Sequence, residues 1–153
     1  MGEKTTIWID RQVAEELRKF GRTYEDGIRY LLIHRNPGGP REVKPLTVTV
    51  PPETFITRNE NYITLGVDVV VRRVYIFFPD GCEDLVTCTV GAGNKEFITN
   101  VISGDNKRLS PEVNQFVPAK TPIWAEVRNE DTTYPHTPTI EVEIEKIREV
   151  GLV

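Results

Sequence analysis

Val67-Asp-Val-Val-Val-Arg-Arg-Val-Tyr-Ile-Phe-Phe78 is a run of β-branched and aromatic residues, and Pro79-Asp-Gly81 closes it. Side chains of this kind suit a pleated, half-buried surface, and the run has no helical period. The same signal recurs on both sides. Upstream, Leu46-Thr-Val-Thr-Val50 alternates with period two. Downstream, Leu85 to Val90 ends at Gly91-Ala-Gly93, and Glu96 to Ser103 ends at Gly104-Asp-Asn106. Pro122 to Val127 and Thr139 to Ile147 close the series. About eight strands separated by turn residues predict a β-sandwich over residues 46–150. The spacing leaves a jelly roll and other Greek keys equally open.

The first residues read differently. Lys4 to Ile9 alternates, Asp10 is placed as a helix N-cap, and Val13, Leu17 and Phe20 recur at helical spacing up to Gly21. Thr23-Tyr-Glu-Asp26 has the form of a capping box, followed by Ile28, Leu31 and Leu32 on one face. The expectation is a strand-helix-helix module over residues 1–36, too small to bury its own apolar face without a partner chain. Residues 37–45, with Pro37-Gly-Gly-Pro40, read as a linker. The predicted fold class is thus α+β by modules, a small helical unit followed by an all-β sandwich.

Charge separates the two parts. The chain has 153 residues and a net charge of −4. Residues 1–45 hold nine Lys/Arg against seven Asp/Glu, and residues 46–153 hold ten against sixteen. An acidic sandwich argues against nucleic acid or an anionic membrane as its partner. No stretch approaches the roughly 18 apolar residues of a membrane span, and the first residues lack the apolar core of a secretion signal. The expected location is intracellular or within a virion.

The motif Thr5-Thr-Ile-Trp-Ile-Asp10 followed by Gly21-Arg-Thr-Tyr-Glu-Asp-Gly-Ile-Arg-Tyr-Leu-Leu32 resembles the ribbon-helix-helix family, particularly archaeal antitoxin-type members. The resemblance covers about a fifth of the chain. It implies an intertwined dimer, with Ile7, Trp8, Ile9, Ile28, Leu31 and Leu32 at the interface. It also implies a DNA-binding alternative, with Lys4, Thr6 and Trp8 in the major groove and Thr23 and Tyr24 at a phosphate. Trp8 departs from the polar residue the family has there, and an indole suits burial better than base reading. The second part resembles, more loosely, a β-domain of tailed-virus and provirus structural proteins. Val71 to Val86, Ser103-Gly-Asp-Asn106 and Val127 to His136 carry that resemblance. It implies a capsid-associated, decoration or head–tail component without catalysis.

Other residues invite chemical readings that are weaker than their structural ones. Asp80, Glu83, Asp84 and Asp105 lack the spacing of a calcium loop and read as solvated turn carboxylates. His136 near Asp131 could form half of an acid–base pair, but no motif supplies a nucleophile. Cys82 and Cys88 would lie roughly 20 Å apart on one strand, far beyond disulfide reach, so two free thiols are expected. Arg72-Arg73 predicts pairing with carboxylates. Trp124 reads as sandwich core. Tyr134 is the single loop-tip aromatic that a carbohydrate-binding sandwich would need. No cofactor or metal is implied. The leading expectation is a non-enzymatic assembly protein that self-associates, with other virion proteins as further candidate partners. A ribbon-helix-helix regulator that binds duplex DNA is the alternative.

Overall fold

The computed structural model describes residues 41–98 and 101–147. These residues contain eleven strands and no helix. The α+β assignment is therefore corrected to an all-β fold. The strand-helix-helix unit expected over 1–36 lies outside the described residues, and the long period-two segments 69–78, 123–129 and 139–146 account for the architecture.

In chain order the strands are β1 (Arg41–Pro45), β2 (Thr54–Ile56), β3 (Tyr62–Ile63), β4 (Val69–Phe78), β5 (Val86–Ala92), β6 (Lys95–Glu96), β7 (Ile102–Ser103), β8 (Lys107–Leu109), β9 (Glu112–Val117), β10 (Ile123–Asn129) and β11 (Thr139–Lys146). One sheet runs β1-β11-β4, with β8 and then β9 along the far side of β4. The other runs β10-β5, with β2 and β3 beside β10 and β6 and β7 beside β5. Every ladder is antiparallel. If β2/β3, β6/β7 and β8/β9 are each taken as one broken strand, eight strands divide between two four-stranded sheets. Their order is first-eighth-third-sixth in one sheet and second-seventh-fourth-fifth in the other. That order is the jelly roll, so the choice the spacing left open is settled by the pairing.

Period-two alternation builds the core. Val69, Val71, Val74, Ile76 and Phe78 of β4, with Ile140, Val142 and Ile144 of β11 beside them, face Val86, Cys88 and Val90 of β5 and Ile123, Ala125 and Val127 of β10. A bulge on β4 keeps this alternation in step. Arg73 pairs with Glu143 and Val71 with Ile144, so Arg72 is the extra residue. An inserted residue of this kind re-aims its side chain, and here it places Arg72 on the outer face.

The expected linker overlaps a strand. Residues 41–45 pair along their whole length with β11, from Arg41 with Glu145 to Pro45 with Glu141. Lys44 and Lys146 both hold Glu42, at 2.9 Å each, so charges and Pro45 blunt this sheet edge against further pairing. Leu46 to Val50, expected as a strand, buries Leu46 and Val50 as its alternation requires but makes only one bridge, Val50 with His136. The Thr47 hydroxyl takes the place of a backbone partner and accepts from the Ile140 amide at 3.0 Å. Glu96 to Ser103 contributes only the two-residue fragments at 95–96 and 102–103.

Candidate functional surfaces

The alternation that fills the core projects three groups onto the outer faces and the corners. On the β10 sheet, Ile123, Ala125 and Val127 point inward, so Trp124, Glu126 and Arg128 point outward. Trp124 is buried as expected, at 1% exposure, but on the outer face and outside the cluster between the sheets. The Gly91 backbone lies against its benzo edge, Arg58 sits over the ring with Cζ 3.8 Å from the centroid, and Nε1 donates to the Gly93 carbonyl at 2.8 Å. Glu126 holds Arg58 in that position through Nε at 3.1 Å and Nη2 at 3.3 Å. Beside them Tyr62 is half exposed, and Arg128 lies over Phe55 at 4.4 Å. Arginine stacked on aromatics is the side-chain mixture enriched at protein interfaces.

On the outer face of the other sheet, Arg72 and Glu145 form a buried ion pair, with side chains 10% and 7% exposed and Nη2 3.0 Å from Oε2. Arg72 Nη1 also donates to Asn114 Oδ1 at 2.9 Å, and the exposed Arg41 reaches Glu145 Oε1 at 2.9 Å. Asn114 has a φ of 51°, which tilts its amide toward the arginine at the point where β9 loses register with β4. Arg73 turns to the Ser110 carbonyl. The expected pairing of Arg72-Arg73 holds for Arg72, whereas Arg73 takes a backbone acceptor.

The β10–β11 connection passes between the sheets rather than forming a hairpin. Asn129, buried at its start, donates from Nδ2 to the carbonyls of Val50, Pro51 and Tyr134. Its Oδ1 accepts from the Asp131 amide. Asp131 Oδ2 meets His136 Nε2 at 2.8 Å, and Oδ1 accepts from the amides of Thr133 and Tyr134. The His136 hydrogen bond, followed by those two amides, holds the Asp131 carboxyl below the usual carboxylate range. His136 and Asp131 are therefore brought together as the sequence suggested, but as the brace of a corner. Every polar arm of Asp131 is spent on that corner.

The remaining candidates are structural in their contacts. Asp105 Oδ1 accepts from the amides of Gly81 and Glu83, which fixes the β4–β5 corner, where Gly81 takes a φ of 101°. No group of three or more potential metal ligands occurs among the described residues. Cys82 and Cys88 are buried free thiols, as their spacing predicts. Burial pushes the Cys88 thiol up to about 12, and it raises Cys82 with help from Asp105 and Asp131. Tyr134 is exposed at the corner. The expected interface residues Ile7, Trp8, Ile9, Ile28, Leu31 and Leu32, and the DNA contacts Lys4, Thr6, Trp8, Thr23 and Tyr24, all lie outside the described residues. Sequence reasoning missed the aromatic–arginine pairs, although alternation within Pro122-Ile-Trp-Ala-Glu-Val127 contains the signal that Trp124 and Glu126 share a face.

No protein-family model matches the chain, and no curated protein does. Among solved structures, the chain is similar to one described as the structure of infectious bursal disease virus Gt strain. The TM-score is 0.34 and the identity 10%. The match covers 73% of this chain and 33% of that one, so the chain spans about a third of its length. So distant a likeness adds nothing to what the strand order shows.

Proposed function

We propose that this protein is a non-enzymatic structural or assembly protein, virion-associated, whose jelly roll packs against further copies or neighbouring shell proteins. The strand order carries the reading. Double-sheet jelly rolls serve as capsid, lectin and cupin domains, and the argument from fold to role is one of analogy. Two features favour assembly within that set. The outer face of the β10 sheet offers Phe55 and Tyr62 beside stacked arginines, a composition suited to a contact of the hot-spot kind. The buried polar groups at the corners and on the bulge are satisfied by one another, which makes a rigid block.

Sedimentation velocity of the intact chain over a hundredfold range of concentration, followed by electron microscopy of the largest species, tests the proposal. A discrete oligomer that is weakened by Tyr62→Ala or Phe55→Ala supports it. A monomer at every concentration, or an oligomer indifferent to both substitutions, overturns it.

A further inference from the structure

The outer face of the β4 sheet holds an arrangement that the assembly reading does not use. The register sets two rows side by side. Thr139, Phe77 and Arg108 form one, and Glu141, Tyr75 and the Ser110 that follows β8 form the next. These six line a depression of about 270 Å³. Arg108 lies over Phe77 with Cζ 4.2 Å from the ring centroid. Among the described residues, neither Arg108 nor Glu141 makes an ion pair. They sit two strands and two residues apart, about 12 Å between Cα positions from sheet spacings, and Arg108 is turned onto the Phe77 ring instead of toward Glu141.

We infer that this depression is a binding site for one unit of a neutral saccharide. The charges decide the class. An anion drawn to Arg108 is repelled by Glu141, and a cation drawn to Glu141 is repelled by Arg108. A neutral polyol uses both, because its hydroxyls donate to the carboxylate and accept from the guanidinium. The hydroxyls of Thr139 and Ser110 extend the same pattern. Between these polar edges, Tyr75 and Phe77 line the depression and supply aromatic carbon for the C–H face of a pyranose ring. The volume falls just below the roughly 300 Å³ at which ordinary ligand pockets begin, so one ring is seated and the rest of an oligosaccharide runs along the open face. The site does not depend on self-assembly, since it lies on the opposite sheet from Phe55 and Tyr62.

Saturation-transfer NMR on the full chain tests it, with maltotriose, cellotriose, xylotriose, mannotriose and chitotriose as probes and the dipeptide Lys-Glu as the zwitterionic comparison. The expected result is transfer to at least one trisaccharide at about 1 mM affinity. Arg108→Ala and Glu141→Gln should each weaken it about tenfold, and Lys120→Gln in the exposed β9–β10 turn should leave it unchanged. Arg108 is exposed and Glu141→Gln is near-isosteric, so both variants should keep the parent melting temperature, which is measured alongside. Silence from every trisaccharide overturns the inference. So does binding that survives both substitutions, and so does transfer to the dipeptide alone.

Discussion

Replacing Gly91 with Ala is the sharpest test of the outer-face packing. A Cβ at this position would stand 2.3 Å from the Lys95 carbonyl oxygen and 2.6 Å from Cζ2 of Trp124. Normal contacts are about 3.5 Å or more, so one or both neighbours must retreat by about 1 Å. Neither moves freely. Lys95 belongs to a strand paired with β5 through Gly91–Glu96 and Ala92–Lys95. The indole is tethered to the Gly93 carbonyl and covered by Arg58. Overpacking of this kind costs about 1–3 kcal/mol, and with a backbone atom as the closer obstacle we expect about 3. For a domain of this size that is a fall of about 10–20 °C in melting temperature. The assay is urea unfolding followed by Trp124 emission in a Trp8→Phe background. Trp124→Phe in the same chain, followed by circular dichroism because no tryptophan is left, should recover only part of the loss, because the Lys95 carbonyl remains. A Gly91→Ala protein within 0.5 kcal/mol of the parent, with unchanged emission, would refute the packing argument.

Glu145→Leu should destabilise by about 3 kcal/mol or more by stranding part of the Arg72 guanidinium in a buried site. Arg41→Ala, at the exposed end of the same cluster, should cost under about 1 kcal/mol, and denaturant melts of the two variants would show this asymmetry. Asn129→Asp puts a carboxylate against three carbonyls and should cost about 2–4 kcal/mol at pH 7, with the loss shrinking in acid as the new group protonates. The native chain should lose stability as pH falls below about 4. Asp131 and Glu42 both have depressed carboxyl pKa values, Glu42 at about 2 through Lys146 and Lys44. Their contributions are complete above the unfolded-state value and disappear as each folded-state value is crossed. Asp131→Asn should flatten that part of the pH–stability curve, and an unchanged slope would contradict the corner geometry. Cys82 and Cys88 should resist a thiol reagent in native buffer and react together once urea unfolds the domain, so fast native labelling of either would contradict their burial.

Long β-branched runs were legible in the sequence because burial on one face imposes period two whatever the partner strand is. Residues 69–78, 86–92, 123–129 and 139–146 fall where alternation puts them. Partners are a different matter. Arg41-Glu-Val-Lys-Pro45 looks like linker because an edge strand carries charges, and its strand character comes from the facing carboxylates of β11. Strands β2, β3, β6, β7 and β8 are two or three residues long, and they are set by where the long strands leave open edges rather than by their own composition. Trp124 is buried, as its size suggests, while its neighbours Ile123 and Ala125 assign it to the outer face of its sheet. The Arg108–Glu141 site joins residues 33 positions apart through β4 between them, and nothing local announces it. The two-helix reading of residues 1–36 rests on capping and spacing alone.

The bond between β1 and β11 also gives the molecule a direction. Arg41 opposes Glu145, so the chain enters and leaves the jelly roll at one pole of the sheet. β4 runs from Val69 at that pole to Phe78 at the other, where the braced corners of Asp105, Asp131 and His136 and the exposed Tyr134 stand together. Among the described residues both chain ends lie at one pole, and the opposite pole is built from turns. That far pole is the one cross-braced by side-chain hydrogen bonds to turn amides. A neighbour met there bears directly on the ends of β4, β10 and β11, the long strands that run back to the other pole.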